Sequence, residues 1–202
     1  MRPPILISMG VVILLGSCGQ GSSDKAMKIP AQLSFDTAGR RLLTEKLIDT
    51  AADNVVLQAV IDDMLERMGN SSTEYATVMS WNKARRSVFI VWQLDAEVSN
   101  GGFNQFYYNP TVKFYTLVPE ALKYIGAPLL ADLTRRANKT YEEQLGQIKK
   151  EQDGTVEGFS KSYKNNPLNE YDHAYYQINK KESLQKILVD FVRAHKAAFV
   201  DQ

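Results

Sequence analysis

The sequence predicts an all-α fold, a single multi-helix domain behind an amino-terminal leader and tether. Apolar residues recur at three-to-four spacing along most of the chain, and no run alternates in strand fashion. Glycine, asparagine and proline also fall where helices would stop and start. No internal repeat interrupts this pattern.

Residues 1–17 read as a secretory signal peptide. Arg2 gives a positive start, Ile5 to Leu15 is apolar, and Gly16-Ser17 supplies small residues before a cut point. The apolar run is too short to span a bilayer. Residues 18–34 read as a flexible polar tether, with Gly21-Ser22-Ser23-Asp24 and Pro30 and little to bury. The helical domain is expected over 35–202.

Leu42, Leu43, Leu47 and Ile48 mark a first helix, and Val56, Ala59, Val60, Met64 and Met68 mark a second that stops at Gly69-Asn70. Ser71-Ser72 with Glu74 suggests a capping arrangement for the next segment. A long central helix is expected from Asn82 to Ser99, carrying Val88, Val91, Trp92, Ala96 and Val98. It should end at Asn100-Gly101-Gly102, where glycine permits a left-handed cap. Phe103 to Tyr108 is then one or two aromatic turns of helix closed by Asn109-Pro110.

Thr116 to Ile125 forms the next helix, ended by Gly126, and Pro128 opens another in its first turn. A charged helix is expected over Tyr141 to Glu151, a loop from Gln152 to Pro167, and a helix from Asn169 to Ile178. The last helix should run from Lys181 to Phe199 with Leu184, Ile187, Leu188, Phe191, Val192 and Phe199 on one stripe.

Composition limits function. The chain has 24 basic and 23 acidic side chains, and Arg2 is lost with the leader, so the mature side chains balance. That offers no global electrostatic footprint for DNA or RNA, and no nucleic-acid partner is expected. Nucleophilic catalysis needs a base beside a serine or cysteine, but there are only two histidines and no Gly-x-Ser-x-Gly elbow. His173 and His195 read as structural. Zinc requires three or four converging ligands, and no His-Glu-x-x-His or paired-cysteine spacing occurs, so neither metal nor cofactor is expected. Gly101-Gly102 lacks the Lys-Ser or Lys-Thr of a phosphate-binding loop. Carboxylate pairs at Asp62-Asp63, Asp95 with Glu97, and Glu142-Glu143 point to different helix faces. Asp95 stands apart because it lies near the apolar stripe, where burial would raise its pKa.

The sole cysteine, Cys18, follows the leader directly. Leu15-Gly16-Ser17-Cys18 resembles the lipobox of bacterial lipoproteins, which implies cleavage before Cys18 and its modification with diacylglycerol. A buried methylene contributes about 0.8 kcal/mol, so two or three acyl chains hold stably where one holds marginally. Gly19 stands where such lipoproteins commonly carry an inner-membrane retention aspartate, which points to an outer-membrane, periplasmic-face destination where the host has an outer membrane. With Cys18 acylated, no thiol remains for a disulfide or a metal.

The most distinctive stretch of the mature chain is 92–110, Trp-Gln-Leu-Asp-Ala-Glu-Val-Ser-Asn-Gly-Gly-Phe-Asn-Gln-Phe-Tyr-Tyr-Asn-Pro. It resembles a bacterial domain family whose named example is a DNA-mimic protein. Glu97-Val98, Asn100 to Phe103, Gln105-Phe106 and Asn109 carry the resemblance, joined by Ala121-Leu122, Ile125-Gly126-Ala127, and Asp172 with Tyr175-Tyr176, over about residues 75–195. The resemblance implies an all-helical domain, mostly of unassigned function, one member of which presents acidic residues to a transcription factor as phosphate surrogates. Duplex DNA carries about one negative charge per 1.7 Å of axis, whereas acidic residues here are interleaved with Lys139, Lys149, Lys150, Lys161, Lys164, Lys180 and Lys181. A secreted lipoprotein would also not meet a cytoplasmic regulator.

Asn100, Gly101, Gly102, Phe103, Gln105, Tyr107 and Asn109 thus form either a partner-binding surface or a structural turn that plugs the core. The function expected is a non-enzymatic protein-interaction module of the cell envelope, membrane-bound through Cys18, with a protein partner such as a toxin or an assembly component. The alternatives are a hydrolase-like enzyme built from Asp95, Glu97, His173 or Tyr175 on separate helices, and a DNA mimic.

Overall fold

The computed structural model describes residues 43–69 and 71–200. The leader, Cys18, the tether, Leu42 and Asn70 lie outside the described residues. Within them are ten α-helices, three 3₁₀ turns and no strand.

The first two helices, α1 (Glu45–Thr50) and α2 (Asp53–Met68), follow the expected apolar spacing: Ile48, Val56, Val60 and Met64 are fully buried. α1 is fastened to the last described elements. The Arg193 guanidinium donates to the carbonyls of Ile48 (3.2 Å) and Ala51 (2.8 Å) and to Asp53 (2.6 Å), and Lys196 reaches Asp49 (2.5 Å).

α3 (Glu74–Ser80) begins after a 3₁₀ turn. The expected capping role of Glu74 is replaced by long-range bonds, since its carboxylate accepts from Gln93 (2.8 Å) and pairs with Lys113.

α4 (Lys83–Tyr108) runs through the middle of the domain, against α5 (Val118–Ile125), α9 (Asn169–Lys181) and α10 (Leu184–Ala194). Asn82 caps its start by accepting from the Arg85 N–H at 2.9 Å. Val88, Val91, Leu94 and Val98 face inward with no exposure. Regular helix gives way at the expected glycine pair. It breaks at Gly101 (φ −155°, ψ 27°) and Gly102 (φ 69°, ψ −175°), then resumes to Tyr108. Gly102 therefore occupies a mirror-extended conformation instead of a left-handed cap, a region essentially reserved for glycine. The restart is capped from elsewhere, because Asp172 of α9 accepts the Phe103 N–H at 2.7 Å.

Pro110–Leu117 is a 3₁₀ turn, so α5 starts two residues later than expected, and it closes at Gly126 in the left-handed region (φ 96°). α6 (Pro128–Glu143) opens on its proline as predicted, but it also contains Tyr141 to Glu143. The chain leaves helical geometry at Gln144, and α7 (Leu145–Lys149) turns Ile148 into the core at 2% exposure.

The segment expected as loop holds a short helix, α8 (Val156–Lys161). Its signal is local: Asp153 accepts from the Thr155 N–H (2.9 Å) and hydroxyl (2.6 Å), and Thr155 caps Gly158 (2.9 Å). The last expected helix is divided. Lys181 belongs to α9, Ser183 caps α10, and the chain after His195 finishes in a 3₁₀ turn at Lys196–Ala198.

The core is aromatic at its centre. Phe89, Phe103, Phe106, Phe114, Tyr175 and Phe199 are all at most 1% exposed, and burying each side chain stabilises by about 1.5 to 3 kcal/mol.

Candidate functional site

The distinctive stretch folds around a buried carboxylate. Glu97 is 2% exposed, and its Oε2 accepts from Gln105 Nε2 and Asn109 Nδ2, both at 2.7 Å. Thr111 approaches Oε1 at 3.4 Å, and Asn100 Nδ2 extends the chain of bonds to Gln105 Oε1 at 2.9 Å. Burying a carboxylate is costly unless donors surround it, and here neutral amides and a hydroxyl supply them. The amides bond the Glu97 side chain, whereas an ordinary helix-ending turn would place them on stray backbone groups.

The two glycines allow α9 and the α8–α9 segment to approach. A Cβ on Gly102 would lie 2.6 Å from Asp172 Cγ, and one on Gly101 would lie 2.7 Å from the Tyr163 hydroxyl. That hydroxyl donates to the Gly101 carbonyl at 2.7 Å. Phe103 has no exposure, and Tyr107 is 3% exposed, stacked on Tyr141 with centroids 4.2 Å apart and donating to Asn138 Oδ1 at 2.7 Å. Burial pushes the Tyr107 hydroxyl well above its ordinary pKa.

Asn104, one position on, forms a second polar cluster with Ser162 (2.8 Å) and Asn166 (2.9 Å). The sequence reading missed it because its members lie 58 and 62 positions apart. Of the predicted residues, Asn100 is exposed, Gln105 and Asn109 are half-buried, and Phe103 and Tyr107 lie inside.

The candidate acid-base residues do not come together as a set. His173 and His195 are both exposed, and the His195 ring stacks on Phe191. Glu97 belongs to the amide cluster. Only Asp95 and Tyr175 meet, the Tyr175 hydroxyl donating to Asp95 Oδ1 at 2.8 Å. Burial and the neighbouring carboxylate drive the Tyr175 pKa far up, so this hydroxyl stays protonated as a donor. Burial also raises Asp95, opposed by the bonds from Tyr175 and Ser99. Asp172 is raised by burial too, opposed by the Phe103 N–H.

Asp95 opens onto a cleft of about 360 Å³ between α2 and α4. Trp92, Asp95 and Ser99 line it from α4, one helical turn apart. Leu57, Gln58 and Ile61 line it from α2. Nothing in the sequence announced the α2 wall, since a helix face bordering a cleft reads like any half-exposed stripe.

Residues 79–195, more than half of the chain, match the family described as DMP19-like protein. The chain belongs to that family. The match takes in α4 through α10, so the Glu97 amide cluster, the glycine pair and Asp172 all sit inside the DMP19-like region, whereas the α2 wall of the cleft precedes it. No curated protein and no solved structure matches the chain. Among the described residues no helix is long and apolar enough to cross a membrane, and no three potential metal-binding side chains converge.

Proposed function

We propose that this chain is a lipid-anchored envelope protein whose DMP19-like domain works as a non-enzymatic interaction module. The observation that carries the reading is the division of labour along α4. The Gln105 and Asn109 amides of the distinctive stretch are engaged by Glu97, while Asp95, on another face of the same helix, keeps an oxygen free of hydrogen bonds among the described residues and lines an open cleft. The motif holds the scaffold, and recognition falls to the cleft.

The anchor in this reading is acylated Cys18, with residues 18–34 as its reach and the outer membrane as its destination where the host has one. In cells, Cys18→Ser should move the protein into the soluble fraction or leave the full-length precursor. Unchanged membrane association with no precursor accumulating would sink the anchor. Crosslinking in intact cells should capture a specific protein partner, and a consistently empty result would count against the module.

The contact of Asp95 with Tyr175 at 2.8 Å favours one second reading, a hydrolase-like enzyme with Asp95 as its acid or base. A search for turnover that Asp95→Asn abolishes separates the two readings. The surface gives DNA mimicry less support. Asp132 lies among Arg135 (2.9 Å) and Arg136 (3.2 Å), and Glu157 is held by Lys161 at 2.7 Å.

A further inference from the structure

We propose that the cleft between α2 and α4 binds an alkylammonium group, seated against the Asp95 carboxylate and the Trp92 indole with its alkyl stem along Leu57 and Ile61. This deepens the interaction-module reading and rests on it.

Four observations converge on a cation. First, the cleft is a real concavity of about 360 Å³, within the size range of small-ligand sites. Second, its one formal charge is negative, and among the described residues no lysine or arginine neutralises it: Asp95 bonds only to Tyr175 and Ser99, both through Oδ1. A half-buried carboxylate lacking a counter-charge is an unpaid desolvation cost that an arriving cation would offset. Third, the polar wall holds acceptors beside Asp95, with the Asn54 and Gln185 amides completing it. The Gln58 amide nitrogen is already committed to Asp62 at 2.7 Å, leaving its oxygen, and the Ser99 hydroxyl hydrogen is directed to Asp95. Fourth, Trp92 stands one turn before Asp95 on the same helix, and an indole face attracts ammonium ions. An anion would be repelled by the Asp95 carboxylate, and a neutral alcohol would leave that carboxylate uncompensated.

The ammonium could be carried by a free amine or by a lysine side chain of a polypeptide. The test uses the purified chain, acylated or not, in nonionic detergent and follows tryptophan emission. n-Butylammonium should give a saturable change, 1-butanol at equal concentration should give none, and Asp95→Asn should weaken the amine at least about tenfold, or about 1.4 kcal/mol. Gln58→Lys, which places a tethered ammonium at the same wall, should block the amine and serves if the Asp95 variant folds poorly.

Equal responses to butanol and butylammonium, or affinity unchanged in either variant, would overturn the proposal. A capped lysine peptide binding more tightly than butylammonium assigns the site to a polypeptide, and the reverse order assigns it to a free amine. The titration does not depend on acylation. Amine binding intact beside a soluble or unprocessed Cys18→Ser chain supports both readings, whereas amine binding with membrane association and processing unaffected by that variant removes the anchor alone.

Discussion

Gly102 and Glu97 do opposite kinds of work within six positions of one helix. Gly102 is needed for what it lacks: its φ of 69° with ψ of −175° excludes other residues, and Asp172 occupies the space a Cβ would fill. Gly102→Ala should cost at least about 2 kcal/mol from backbone strain alone, read as a lowered urea midpoint. Glu97 is needed for what it accepts. Glu97→Leu strands the amides of Gln105 and Asn109, at about 1 to 3 kcal/mol each. Glu97→Gln keeps one oxygen in place for both donors and should cost about 1 kcal/mol. Equal losses for the two substitutions would show that volume, and not hydrogen bonding, matters there.

Asp95 adds a prediction with a sign. Its carboxyl is raised by burial in the folded state, so the folded chain holds that proton more tightly than the unfolded one. The associated stability is fully present below the ordinary carboxyl range and is lost as pH rises through the raised value. At neutral pH Asp95 therefore costs stability. Asp95→Asn, which can still accept from Tyr175, should raise the melting temperature at pH 7, and the gain should shrink as the pH is lowered toward 4. A variant less stable than the parent at pH 7 would remove this account.

At the scale of elements, local rules made much of the fold legible. The α5 stop at Gly126, the Pro128 start and the aromatic turns to Tyr108 follow from glycine, proline and spacing. What stayed hidden depends on partners distant in sequence. The break in α4 could be placed at the glycine pair, but its geometry is decided by Asp172, 69 positions from Phe103. Glu74 likewise looked like a local cap until Lys113 and Gln93 claimed it. The cleft was illegible for the same reason, because it exists only where α2 passes α4. α8 is the reverse case, since the Asp153-Gly154-Thr155 signal was present but outweighed by the surrounding Gly and Asn. Thr155→Ala should loosen this helix, at about 1 kcal/mol, with faster amide exchange confined to 156–161.

Among the described residues, many exposed charges cancel within one helical turn. Lys139 with Glu143 and Lys161 with Glu157 are exposed pairs four residues apart on their helices. Such pairs contribute about 0 to 1 kcal/mol, and their fields fade within about 10 Å at moderate salt. Asp132→Asn should accordingly shift stability by under about 0.5 kcal/mol, in contrast to the Glu97 variants. The domain is held by its aromatic interior, to which such exposed pairs add little.

The clasp of Arg193 and Lys196 on α1 takes on a mechanical meaning if the chain hangs from a membrane. Tension transmitted along the tether would enter the domain at α1, and the first thing resisting it would be the grip of α10 and the last turn on the Ile48 and Ala51 carbonyls, Asp49 and Asp53. Among the described residues the first helix is thus held by the last, and a pull on α1 is borne by Arg193 and Lys196 before it reaches α4.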